Sequence, residues 1–247
     1  MTAELRLAVE RLYEVFSVYP GDINMCVSPL KGTPEEMNGL LFSKPLRDLT
    51  NNDLSLFSTS LLYTWGMEPD LKHFLPRILE LTGELDCPAF EVEVFFIKFE
   101  IAKWLTWPTE EREAITHYLL CLWKNILEEP VPISRDDFFL EYFIPIVKIY
   151  PDLPQLLATW EKASSPVATK RLTALIYQEF SWLFKGEMKC FDKQIKPVPE
   201  LSEWLRSDAV LERFTTAFFT HADDEAYTEN LSFVVRTLEY ERSKQQP

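Results

Sequence analysis

The feature that most constrains this chain is an apolar repeat near every 3.6 residues, running almost end to end and broken at prolines, glycines or capping residues. The 247 residues hold 17 prolines and only 6 glycines. In a helical chain the prolines mark first turns, loops and kinks, so they map the boundaries. So few glycines argue against folds that spend them on tight hairpins, phosphate loops or dinucleotide turns. The expected fold is all-α, with about ten helices in an irregular stack of helical hairpins, HEAT-like or α-solenoid-like. A chain of this length can bury one core without staples. We read residues 1–247 as a single all-helical domain, with a main body at 1–186 and C-terminal helices at 187–247 as the alternative subdivision.

The first helix is predicted at 3–18, with Leu5, Val9, Leu12 and Phe16 on one stripe. A helix at 51–65 ends at Gly66, and one at 70–81 contains Pro76, which should kink or split it. Residues 90–104 read as a thoroughly apolar helix. At 109–129, Ile115, Tyr118, Leu119, Leu122, Trp123 and Ile126 line one face, with His117, Cys121, Lys124 and Glu128 opposite. Ser134 reads as the cap of a helix reaching 150 and bent at Pro145. Only 186–199 reads as an extended connection. Leu61 to Trp65 before Phe74-Leu75-Pro76 parallels Leu119 to Trp123 before Phe143-Ile144-Pro145, which suggests a degenerate repeat or a chance likeness between leucine-rich helices.

Charge narrows the function classes. The chain has 25 Lys+Arg against 39 Asp+Glu, a net −14. Such a surface repels phosphate backbones and anionic headgroups, so nucleic acid and membrane are not expected partners. A basic protein partner is favoured, although acidity can also serve solubility alone. No stretch approaches the ~20 apolar residues of a membrane span. The start of the chain reads as an amphipathic helix and not as a secretory signal. Cys26, Cys87, Cys121 and Cys190 form no CxxC pair, which fits separate thiols in a reducing, cytoplasmic setting.

Candidate chemistry is thin. His117 and Cys121, four apart, could give two metal ligands, but a stable zinc site wants four and no second pair is visible; no metal and no cofactor is expected. His73 shares a polar face with Arg77 and Glu80 and reads as solvated. Glu110-Glu111, Asp136-Asp137 and Asp223-Asp224-Glu225 coincide with predicted first turns, where negative charge complements the helix dipole. No GxSxG, SxxK or nucleotide loop occurs, so no catalytic residue is assigned. A catalytic set assembled from distant helices would leave no such trace. The tryptophans fall in apolar stripes and read as core, with Trp107 the expected exposed exception.

The segments Lys44-Pro45-Leu46-Arg47-Asp48-Leu49-Thr50, Thr64-Trp65-Gly66 and Lys72-His73-Phe74-Leu75-Pro76-Arg77-Ile78-Leu79-Glu80-Leu81 resemble a widespread family of bacterial helical proteins that carry no assigned function. The resemblance extends to Trp104-Leu105-Thr106-Trp107-Pro108 and to the run from Leu153 to Trp160, about two-thirds of the chain. It implies a helical fold and a bacterial cytoplasmic setting. It also implies a cysteine cluster ahead of the densest motif, where this chain has only Cys26.

These features lead to one principal expectation: a protein that binds and neutralises another, such as the immunity partner of a basic antibacterial toxin. Asp136, Asp137 and Glu141, then Asp223, Asp224 and Glu225, are the expected exposed acidic contacts, with Trp107 beside them. The alternatives are a helical-repeat scaffold or adaptor and an enzyme of unrecognised type.

Overall fold

The computed structural model describes residues 1–85, 90–129, 138–190, 195–220 and 225–244. The chain is mostly helical, about 72%. The described residues fold into two compact units, Met1–Asn125 and the residues from Ile126 onward. The sequence-drawn break at 186/187 therefore lies inside the second unit.

The first unit contains α1 (Ala3–Phe16), α2 (Pro34–Leu41), α3 (Asn51–Ser60), α4 (Glu68–Gly83), α5 (Val92–Ile101) and most of α6 (Thr109–Glu128). Thr2 caps α1 by accepting from the Leu5 amide at 3.3 Å, and the stripe of Leu5, Ala8, Val9, Leu12 and Phe16 is buried. Its main packing partner is α4. Thr33 with Glu36 and Thr50 with Asp53 form capping boxes that start α2 and α3.

Two expectations change here. Pro76 does not split its helix: α4 runs through it as one element from Glu68 to Gly83. Leu71, Phe74, Leu75, Pro76, Ile78 and Leu79 are all buried, and that apolar burial outweighs the ~3 kcal/mol a mid-helix proline costs. Conversely, α3 stops at Ser60 and does not reach Trp65. Residues 61–66 form a turn, with Leu62 at φ 63° and Gly66 at φ 70°. Backbone bonds from Ser28 N to Thr64 O and from Gly66 N to Cys26 O, both 2.8 Å, claim groups that further helix would have used. The suggested repeat fails on the same ground, because Leu61 to Trp65 is a turn while Leu119 to Trp123 lies inside α6.

The second unit holds α7 (Phe138–Ile149), α8 (Leu153–Lys162), α9 (Pro166–Leu183), β1 (Glu187–Lys189), β2 (Ile195–Pro197), α10 (Pro199–Leu205), α11 (Asp208–Thr220) and α12 (Glu225–Ser243). Ser165 caps α9 through the Val167 and Ala168 amides, with Pro166 at the first helical position. The stretch read as an extended connection contains a small antiparallel pair, β1 with β2. Gly186, at φ 67°, opens it; a Cβ there would sit 3.2 Å from the Pro199 Cα. Arg242, in the last turn of α12, pairs with Asp208, the first residue of α11, so these two helices run antiparallel. The Ser134 cap falls outside the described residues.

Candidate functional site

The polar residues of α4 are not on a solvated face. The Lys72 side chain is 7% exposed and that of Glu111, from the first turn of α6, 6%; Nζ and carboxylate meet at 2.9 Å. Lys72 also pairs with Glu68 at 3.2 Å and donates to the Tyr19 hydroxyl at 3.2 Å. Its Nζ lies 4.3 Å from the Trp107 ring centroid and 4.9 Å from that of Tyr19. Tyr19 donates to Glu111. Burial alone would lower the lysine's affinity for its proton, but the bonds from Glu111, Tyr19 and Glu68 outweigh it, and its pKa is raised. Burial and the bond to Glu111 push the Tyr19 hydroxyl up, so it is held protonated and is a donor rather than a base.

The neighbouring polar groups continue this lattice. His73 Nδ1 lies 2.9 Å from the Tyr19 carbonyl, and its ring stacks on Phe42. Arg77 donates to the Leu49 carbonyl at 2.7 Å and to Glu80 at 2.6 Å, while Tyr13 donates to Glu80 at 2.7 Å. Desolvation, reinforced by Glu80, raises the Tyr13 pKa. His73, Arg77 and Glu80 thus fasten α4 to α1 and the loops beside it. The solvated reading of His73 was wrong, because Tyr19, just after α1, and Phe42, just after α2, pack against its ring.

A second buried cation behaves differently. Lys98, in α5 among Phe95, Phe96 and Phe99, is fully buried. Its Nζ donates to the Thr59 carbonyl at 3.1 Å and lies 3.5 Å from the Tyr63 ring centroid, with no carboxylate partner among the described residues. Desolvation pulls its pKa down to about 8. A lysine inside an otherwise aromatic helical stripe was the sequence signal for it.

In the second unit three cations are turned onto helix ends. Lys196 Nζ donates to the carbonyls of Val147 and Lys148 at the end of α7, both at 2.8 Å. Arg213 Nη2 donates to the carbonyls of Trp160, Glu161 and Ala163 at the end of α8, at 3.0, 2.7 and 2.8 Å. Arg206 donates to the Phe184 carbonyl at the end of α9 at 2.7 Å. Each satisfies orphan carbonyls and complements the negative end of a helix dipole. Arg213 also borders a cleft of about 440 Å³ lined by Glu161, Ser164, Thr169, Glu212 and Thr216.

The structure does not gather the acidic residues chosen from sequence. Asp136, Asp137, Asp223 and Asp224 lie outside the described residues, as does the side chain of Glu225. Glu141 is half-buried on α7 and engaged with another group, not free on the surface. Trp107 is buried, 5% exposed, against the expectation of an exposed ring. Its indole donates to the Ala102 carbonyl at 3.0 Å and its ring meets the edge of Phe16, so the short loop before α6 is itself core. His117 Nε2 and Cys121 Sγ stand 3.7 Å apart. Among the described residues no three His, Cys, Asp or Glu side chains are grouped to hold a metal ion.

Comparison with protein-family models, with curated proteins and with solved structures finds no match for this chain. What stands is a mostly helical protein in which no described helix is long and apolar enough to cross a membrane.

Proposed function

We propose that this protein binds and neutralises a basic protein partner, in the manner of a cytoplasmic immunity protein that neutralises a basic antibacterial toxin. One observation carries the reading: among the described residues several cations are buried or engaged on backbone carbonyls, while most acids are exposed. Lys72 and Lys98 are buried, and Lys196, Arg206 and Arg213 are engaged on backbone carbonyls. Asp22, Glu35, Glu36, Asp48, Glu91, Glu100 and Glu113 in the first unit and Glu200, Glu203, Glu212, Glu229 and Glu239 in the second are exposed. The solvent-facing charge is therefore more one-sided than the composition alone conveys. An acidic surface steers a basic partner and disfavours wrong ones by like-charge repulsion. The resemblance to bacterial helical proteins supplies the setting, and no enzymatic step enters the reading. Coexpression with the product of the adjacent gene tests it. A stable complex and survival of a toxin-sensitive cell are expected; no complex and no protection would remove the idea.

A second reading, a scaffold of stacked helical hairpins of HEAT-like or solenoid type, draws on the antiparallel α11–α12 pair. A groove of about 340 Å³ on that pair is lined by Phe218, Phe219 and Val235, with Phe219 76% exposed. Peptide capture that depends on Phe219 and ignores salt would favour it.

A further inference from the structure

We infer that the cleft between the end of α8, the start of α9 and one face of α11 receives an arginine side chain presented by a basic protein partner. The site deepens the proposed function and rests on its reading of a basic partner. Its walls belong wholly to the second unit and frame about 440 Å³, within the ~300–1,000 Å³ of ordinary ligand sites. Ala209, Glu212, Arg213, Thr216 and Ala217 recur at three- and four-residue steps, so a single face of α11 lines the cleft. Ala163, just before α9, and Pro166 at its first position close the other side. These small and apolar walls leave room for a long side chain and cover its alkyl stem.

The polar groups of the cleft are acceptors left uncommitted. Glu212 is exposed and makes no hydrogen bond or ion pair among the described residues. The hydroxyls of Ser164, Thr169 and Thr216 are likewise free of partners there, whereas Thr215 and Thr220 on the same helix spend theirs on the Leu211 and Thr216 carbonyls. One donor, the Trp204 indole at 3.0 Å, reaches the Glu161 carboxylate and leaves its other oxygen free. Arg213 is the one cation among the lining residues. Its Nη2 spans the three carbonyls at the end of α8 and its Nη1 is closed off from solvent, so neither terminal nitrogen is offered to a ligand.

Such a set selects a guanidinium over an ammonium. Two carboxylates and three hydroxyls surround one space, and a guanidinium brings five N–H donors in a planar fork against three on an ammonium. Charge-assisted bonds to Glu161 and Glu212 fix the head of the side chain. The arginine comes from a different protein, because a second copy of this chain, at net −14, opposes its own approach.

The probe is N-acetyl-arginine methylamide at constant ionic strength. It is set against the citrulline analogue, which is neutral and nearly the same shape, and against sodium acetate, which would seek Arg213. The readout is the Trp204 indole N–H resonance, assigned with Trp204→Phe, because that indole bonds Glu161. The arginine probe should move it saturably at concentrations on the order of 10 mM, and the citrulline analogue should bind at least about tenfold more weakly. Glu212→Lys should weaken the arginine probe at least about tenfold at unchanged thermal midpoint, since that side chain is exposed and unbonded. No saturable shift, equal binding of the citrulline analogue, saturable binding of acetate, or indifference to Glu212→Lys would each overturn the site. A complex with the adjacent gene's product whose affinity ignores Glu212→Lys sinks the arginine site and leaves the proposed function standing. Binding of the arginine probe that obeys Glu212→Lys, without any such complex, does the reverse.

Discussion

Lys72 and Glu111 meet at 2.9 Å with both side chains almost wholly out of water, which ties the second turn of α4 to the first turn of α6. Such a pair roughly balances its own desolvation, yet breaking it strands a charge. Lys72→Met should therefore cost about 3–5 kcal/mol, while Lys72→Met with Glu111→Leu should recover most of that loss. Urea unfolding of the two variants measures it. A double variant as weak as the single one would contradict the account.

Lys98 should behave oppositely, because it has no carboxylate to strand. Its folded pKa, about 8, is depressed below the ordinary lysine value, so the unfolded chain binds the extra proton. Stability should then rise as pH goes from about 8 towards about 10, by on the order of 2 kcal/mol from this group. At higher pH the gain ends, since half-buried Tyr13 and Tyr19 keep protons that the unfolded chain gives up. Lys98→Met should stabilise the protein at pH 7 and flatten this slope in pH-dependent unfolding.

Asp53 governs part of the acid limb. The bond from Lys44 at 2.6 Å, then those from Thr50, hold its carboxyl down at about 2. A depressed carboxyl gives stability that is present above the usual value and lost as pH falls from about 4 to about 2. Asp53→Asn should cost about 1 kcal/mol at pH 7 and remove that part of the acid transition, as followed by circular dichroism.

The buried Asn38 amide donates to the carbonyls of Ile23 at 2.9 Å and Met25 at 2.8 Å and accepts from the Trp65 indole at 2.8 Å, so Asn38→Leu leaves two carbonyls and an indole without partners. The expected cost is about 3 kcal/mol or more. Hydrogen exchange should rise first at the Ser28 and Gly66 amides. Unchanged protection there would show that Asn38 does not hold the loop before α2 to the turn after α3.

Much of the helical pattern was legible from periodicity alone: the stripe of Leu5, Val9, Leu12 and Phe16 is buried as read. What periodicity could not supply was partner identity. His73, Arg77 and Glu80 looked like an outward face because nothing local reveals that α1 packs over it. Trp107 was taken for a surface ring although a loop can lie in the core. Helix ends drifted where distant backbone competed, as Ser28 and Cys26 did for the turn before Gly66. The acidic contacts chosen from first-turn runs had only composition behind them; the bonds around Asn38 join residues 13 to 27 apart, which no motif encodes.

The most direct test of the proposed function is the salt dependence of binding to the purified product of the adjacent gene. Calorimetry between low and high salt should give a one-to-one complex whose affinity falls about tenfold or more as the acidic surface is screened. No complex at low salt, or an affinity indifferent to salt, would contradict it.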